Sequence, residues 1–342
     1  MDEPDEAARG SLLVGRGAEL DDLDGLLAAA AARDGAVVLL EGEAGIGRSR
    51  LVTALAGGAD VLGVDLVVLR FPGPSADRID ALLGTPADRP RAVVLDDVHL
   101  ADDESLDVLT RSAHSGPIPA TLLVLTERPV PYREAVQRMV VAWVRAGARN
   151  VELRPLAPPA VVELAERLVG HRVGPLLRGV LSTAGGNPRL ATAVVRACQH
   201  AGALRESLDG VLDIEGTGWQ DELDDVARAH LAYLDPAVIE LLSQAAVLGS
   251  SFVMPDLAAL ADVPLTDCWR TVRHALAAGV VAARGDRLVF RHDLVRTALY
   301  AGLGDATRRS LHSRAASTLG DAGAPAHVIA AHLERARAGG HA

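Results

Sequence analysis

Residues 42 to 49 read Gly-Glu-Ala-Gly-Ile-Gly-Arg-Ser, the phosphate-binding P-loop pattern G-x-x-x-x-G-K-[ST] with Arg48 in the place of the lysine. Val37-Val38-Leu39-Leu40 before it is apolar and β-branched, and Arg48 to Ala56 after it has a helical rhythm. The motif therefore lies in the strand, loop, helix context that gives it meaning. Gly42, Gly45 and Gly47 let backbone N–H groups turn toward a phosphate at a helix N-terminus, where the helix dipole favours an anion. The expected phosphate-side contacts are Gly42, Gly45, Ile46, Gly47, Arg48, Ser49 and Arg50, with Ser49 a ligand for Mg²⁺. A glycine-rich turn that matches by chance is the plain alternative.

The 342 residues contain no lysine at all; every basic side chain is arginine or histidine. Arg48 thus reads as compositional drift as readily as selected loss, but the physical consequence is the same. A lysine ammonium is a compact point charge that bridges β- and γ-phosphates, whereas a guanidinium is a wider planar fork. Nucleotide binding should survive the exchange better than hydrolysis, which leaves at most a weak ATPase.

Length suits two or three domains. No apolar run approaches the roughly 18 to 20 residues a membrane span needs, and Met1 to Gly10 is acidic and polar rather than a signal peptide. Cys198 and Cys268 lie far apart without metal-ligand spacing, which points to buried thiols in a reducing cytoplasm. A net charge of −11 argues against a broad nucleic-acid-binding surface, because phosphate neutralisation needs clustered cations.

Continuous apolar strands are expected at 37–40, 66–69, 92–95, 121–125 and 150–153, with helices between them, notably 102–113 and 133–144. Such alternation signals a parallel sheet covered on both faces: a doubly wound α/β core ending near Arg154-Pro155. The third strand ends Val93-Val94-Leu95-Asp96-Asp97, a Walker B pattern in which Asp96 would hold Mg²⁺ and Asp97 would polarise an attacking water. A strand-end turn is the plain alternative, and Asp102 reads as the N-cap of the next helix. The fourth strand runs into Thr126-Glu127-Arg128, where P-loop ATPases of the AAA+ type carry a polar sensor of the γ-phosphate; Arg128 is the candidate, a solvated arginine the alternative.

Ala160 to His200 is helical, broken at Ala184-Gly185-Gly186-Asn187-Pro188, and the segment up to 230 is read as an all-α lid. Helices at 235–248, 254–261 and 265–278, then a two-stranded hairpin over 280–291, read as a winged helix. Its third helix carries few cations, which favours a structural or regulatory use over DNA reading. Helices follow at 293–301 and 308–319.

Taken in order, Leu13-Val14-Gly15-Arg16, the P-loop, Leu-Asp-Asp-Val-His at 95–99, Gly-Gly-Asn-Pro at 185–188 and Phe290-Arg291-His292-Asp293-Leu294 resemble the STAND class of signal-transduction P-loop ATPases. Within it, the chain is most similar to the N-terminal region of the large actinobacterial LuxR-type transcriptional regulators. That resemblance implies an AAA+/STAND-like core at 1–154, a lid at 155–230, a winged helix at 231–305 and the start of a helical repeat at 306–342. Val14, Gly15 and Arg16 would sit at adenine and ribose, Pro188 would pack on the base, and His292 would reach the β-phosphate of ADP; a cap at the hairpin-to-helix junction is the alternative for His292. Departures from the pattern are Arg48, Gly17 where an acidic residue is common, Leu100 where tryptophan is usual, and a short segment before Walker B.

The expected function is an adenine-nucleotide-dependent switch, closed with ADP and open with ATP, with Mg²⁺ as the metal. Its partners would be a protein or further copies of itself in the open form, with DNA engaged only through a domain outside this chain. Two other readings stay open: an active ATPase of the DNA-loading initiator type, and a degenerate scaffold that binds no nucleotide.

Overall fold

The computed structural model describes residues 13–85, 87–128, 133–216 and 218–337. The expectation for the first ten residues lies outside them. The chain forms two compact units, Met1–Leu168 and Val169–Ala342.

In the first unit the elements run α1 (Gly17–Ala31), β1 (Ala36–Glu41), α2 (Arg48–Leu62), β2 (Asp65–Arg70), α3 (Ala76–Gly84) and β3 (Arg91–Asp96). They continue with α4 (Asp103–Ser112), β4 (Thr121–Glu127), α5 (Glu134–Arg145), β5 (Arg149–Glu152) and α6 (Pro158–Val169). All five strands are parallel in the order β2-β3-β4-β1-β5. Alternate residues of each strand feed opposite cores. Val37, Leu39, Val93, Leu95, Leu123 and Leu125 pack under Ile79, Leu106, Met139 and Trp143 of α3, α4 and α5. Val38, Leu40, Val94, Leu122 and Val124 pack under Leu23, Leu27, Leu51 and Leu55 of α1 and α2. Burying each such side chain contributes about 1.5–3 kcal/mol before entropy is subtracted, and β4, buried at all seven positions, is the centre of both layers.

Asp102 caps α4 as expected: its side chain accepts from the Ser105 N–H at 2.7 Å, which holds its carboxyl below the usual carboxylate range. Asp102→Ala should lower stability by about 1 kcal/mol, read as a shift in urea midpoint with unchanged slope; an unshifted midpoint would show that the cap is redundant.

The second unit opens with β6 (Arg172–Val173), α7 (Pro175–Ser182), α8 (Pro188–His200), β7 (Leu204–Glu206), β8 (Val211–Ile214) and α9 (Gln220–His230). The expectation of an all-helical lid is corrected here, because β6, β8 and β7 form a three-stranded sheet. Strands of two to four residues are too short to leave a period-two pattern, and their pairing is non-local: Arg172 lies opposite Val211. The sheet has a definite task. Asp213 on β8 accepts from the Leu176 and Leu177 N–H groups at 3.2 and 2.7 Å, closing the start of α7.

Then follow α10 (Pro236–Leu248), β9 (Ser251–Phe252), α11 (Met254–Ala261), α12 (Leu265–Ala277), β10 (Val281–Arg284) and β11 (Arg287–Phe290). The expected hairpin is joined by β9, giving an antiparallel sheet in the order β10-β11-β9. The unit ends with α13 (Asp293–Ala301), α14 (Asp305–Asp321) and α15 (Ala326–Arg337). The last two are joined by a buried imidazole pair, His312 Nδ1 to His332 Nδ1 at 2.9 Å. Among the described residues no helix is long and apolar enough to cross a membrane.

Candidate functional site

Each strand of the parallel sheet ends on a charged residue, Glu41, Arg70, Asp96, Glu127 and Glu152 in turn. Parallel strands bring these ends to one edge, the usual place for a ligand in an open α/β sheet. The P-loop leaves β1 at that edge. Gly45 and Gly47 have φ of 79° and 110°, a left-handed backbone that side chains resist. At Gly42 a Cβ would approach Ile46 Cγ2 to 2.7 Å. Ile46 itself is buried in the core beside α2, so it anchors the loop from behind. Ser49 is exposed at the start of α2.

Arg48 turns its guanidinium to the strand ends. Nη1 donates to the Glu127 carbonyl and Nη2 to Asp97 Oδ1 at 3.0 Å. Only 7% of the side chain is exposed; burial lowers its pKa, and the Asp97 carboxylate partly offsets that. Asp97 has further neighbours: Arg128 Nε lies 4.0 Å from the same Oδ1 and His99 Nδ1 3.9 Å. His99 stays neutral, since burial and then the cations Arg128 and Arg48 push its pKa down to about 3. Asp97 adopts a left-handed backbone, φ 59°, a conformation disfavoured for a non-glycine residue. Its N–H is held by Thr126 Oγ1 at 2.8 Å.

The same Thr126 hydroxyl donates to Asp96 Oδ1 at 2.6 Å, and Arg70 Nε donates to Asp96 Oδ2 at 3.0 Å. Sequence reasoning missed Thr126 and Arg70. Thr126 was visible as a polar strand end, but its reach to a strand 30 residues upstream follows from β4 standing beside β3. For Arg70 the register supplies the signal, because Arg70 and Asp96 are directly paired. Mg²⁺ takes hard oxygen ligands and keeps several waters. The Ser49 hydroxyl and Asp96 carboxylate are of that type, and the Asp96 oxygen held by Arg70 is one a cation can take over. These residues fit the ion. Among the described residues there is no cluster of three or more His, Cys, Asp or Glu that could hold a metal ion, so waters, and nucleotide oxygens when nucleotide is bound, would complete the shell.

Glu127 is a third residue the sequence did not single out. It is 4% exposed, its Oε2 is buried without a hydrogen-bond partner among the described residues, and it lies in register with Glu41 on β1. Burial, then repulsion from Glu41, raises its pKa to about 7, with Arg48 pulling the other way.

The remaining expected residues divide between the units. Val14 is buried and Gly15 has φ of 65°. Arg16 donates from Nη2 to the carbonyls of Ile46 at 3.1 Å and Arg154 at 2.7 Å, so its guanidinium buttresses the P-loop backbone. Arg50 follows the loop in α2, its N–H bonded to the Gly47 carbonyl at 3.1 Å. In the second unit Pro188 opens α8 behind Asn187, whose side chain accepts from the Arg189 and Leu190 N–H groups. His292 precedes α13 but makes no side-chain cap there. Its Nδ1 lies 2.9 Å from the Ala184 carbonyl and its ring meets His230 edge-on at 5.8 Å. The structure thus joins His292 to the loop that carries Gly185 to Pro188.

No family model matches the chain, and neither does any curated protein. Among solved structures it is similar to a Walker-type ATPase of Pyrococcus abyssi, with 12% identity over 84% of this chain and 96% of that one, TM-score 0.58. The first unit has the P-loop NTPase fold. Weaker likenesses are to the RuvB Holliday junction branch migration motor of Thermotoga maritima (18% identity, 81% of this chain, 92% of that one, TM-score 0.46). Another is to a STAND protein with a tetratricopeptide repeat sensor from Pyrococcus horikoshii (15% identity, 95% and 48%, TM-score 0.37).

Proposed function

We propose that the chain binds adenine nucleotide with Mg²⁺ on the P-loop and uses it as a switch, ADP and ATP favouring different conformations, with slow or absent hydrolysis. The observation that carries this reading is the convergence of Arg48 and Arg128 on Asp97 beside a loop whose glycines are free to turn N–H groups inward. Two cations and a cradle of donors suit a polyphosphate. Arg48, already forked between Asp97 and the Glu127 carbonyl, is poorly matched to the moving point charge that phosphoryl transfer requires.

The arrangement of α10, α11, α12 and the β9–β11 sheet supports reading that segment as a winged helix in a regulatory role, and the divisions near residues 154, 230 and 305 belong to the same reading. So do the resemblance to STAND-class regulators, a protein partner or self-assembly, and the nucleotide roles of Val14, Gly15, Pro188 and His292. For Arg16 its contacts favour support of the loop over contact with the ribose.

Calorimetric titration tests the proposal. ADP and ATP should each bind with Kd in the roughly micromolar range, about −8 kcal/mol, and turnover should stay below about 1 s⁻¹. Arg48→Lys should raise turnover more than affinity. No heat with either nucleotide would leave the scaffold reading; wild-type turnover at or above about 1 s⁻¹ would show that Arg48 does not impair chemistry.

A further inference from the structure

We propose that Arg70 competes with Mg²⁺ for Asp96, so that metal arrives at this site by displacing an arginine; this rests on the Mg²⁺-nucleotide reading above. Asp96 is 1% exposed, and a carboxylate so far from water needs a counter-charge. Arg48 is committed to Asp97 and the Glu127 carbonyl. The direct cationic contact of Asp96 comes from the sheet's edge strand, Arg70 Nε at 3.0 Å from Oδ2, while Oδ1 takes a neutral hydroxyl from Thr126 at 2.6 Å.

The two partners differ in how easily they leave. Thr126 is fully buried on the central strand, and its hydroxyl is tied to Asp97 as well. The Arg70 side chain is 65% exposed, so its guanidinium can return to water along a flexible stem at little cost. A divalent cation on Oδ2 would repel a guanidinium held 3.0 Å from the same oxygen, and the exposed Arg70 is the partner that can move away. Arg70 therefore sets the metal concentration at which Asp96 becomes a ligand, and it keeps the buried carboxylate compensated below that concentration. A residue that merely positioned Asp96 for the metal would act with the opposite sign.

The test uses the whole chain with MgCl₂, and separately MnCl₂, without nucleotide. Thermal unfolding of wild type, Arg70→Gln and Arg70→Lys is followed as metal is added. Arg70→Gln should melt lower than wild type without metal, recover on adding it, and reach half-effect at roughly fivefold lower concentration, the scale of a partly exposed ion pair. Arg70→Lys should stay near wild type. In the wild-type chain, arginine-specific labelling mapped by mass spectrometry should show Arg70 becoming more reactive as metal rises, which keeps the test open if a variant folds poorly. A half-effect concentration unchanged or raised in Arg70→Gln, Arg70 labelling indifferent to metal, or no metal response in any chain would each overturn the proposal. Parallel calorimetry with ADP separates the two readings: absence of ADP binding refutes the nucleotide assignment, while the metal titrations still report on Arg70.

Discussion

Arg48→Ala is expected to destabilise the first unit by about 3 kcal/mol, the scale for removing one partner of a buried ion pair, and to weaken nucleotide binding at least roughly tenfold, about 1.4 kcal/mol. Both effects follow from one guanidinium. Its loss removes the 3.0 Å partner of Asp97 and the donor to the Glu127 carbonyl, and leaves the Asp97 carboxylate with Arg128, at 4.0 Å, as its nearest other arginine among the described residues. Arg48→Lys keeps the charge but has one head where the fork had two, so its stability loss should be nearer about 1 kcal/mol, one hydrogen bond. Urea unfolding measures this, followed by Trp143 fluorescence in a background where Trp219 and Trp269 are replaced. An alanine variant within about 0.5 kcal/mol of its parent, the range of an ordinary surface substitution, would show that the Arg48–Asp97 pair holds nothing together.

The second large effect is on pH dependence. In the unfolded chain Glu127 ionises at its ordinary value of 4.5, whereas in the folded chain burial and Glu41 keep it protonated to about 7. Folding therefore takes up a proton between those two values. The contribution of Glu127 is fully present below about pH 4.5, falls as pH rises through about 7, and is then flat, a total of roughly 3 kcal/mol. Glu41, raised by burial and by Glu152, adds in the same direction. Glu127→Gln keeps shape and removes the titration. It should match wild type near pH 4 and exceed its stability by roughly 3 kcal/mol at pH 8. Parallel stability curves for the two chains from pH 4 to 8 would rule out a buried, titrating Glu127.

The core was legible because its signals are local. The expected strands 37–40 and 121–125 marked β1 and β4 to within two residues of their observed limits, and the glycines at 45 and 47 stand where the backbone turns left-handed. Asp102 announced its cap by its place before an amphipathic run. What stayed hidden involves partners distant in sequence. β6 and β8 pair across almost 40 positions in strands too short to show alternation. The guanidinium of Arg16 is bonded to the Ile46 carbonyl of the loop, 30 positions away, a contact that no local pattern carries.

By itself, then, the sequence determined that a glycine-rich loop joins a buried strand to a helix, and that carboxylates end the third strand, because backbone freedom and hydrophobic period are properties of neighbouring residues. Tertiary structure alone decided which groups those carboxylates meet. With β4 between β1 and β3, Thr126 reaches both aspartates, Arg48 reaches Asp97, and the register of β2 assigns Arg70 to Asp96. Strand order and register are set by the packing of two whole faces of the sheet, and no single stretch of chain carries that information.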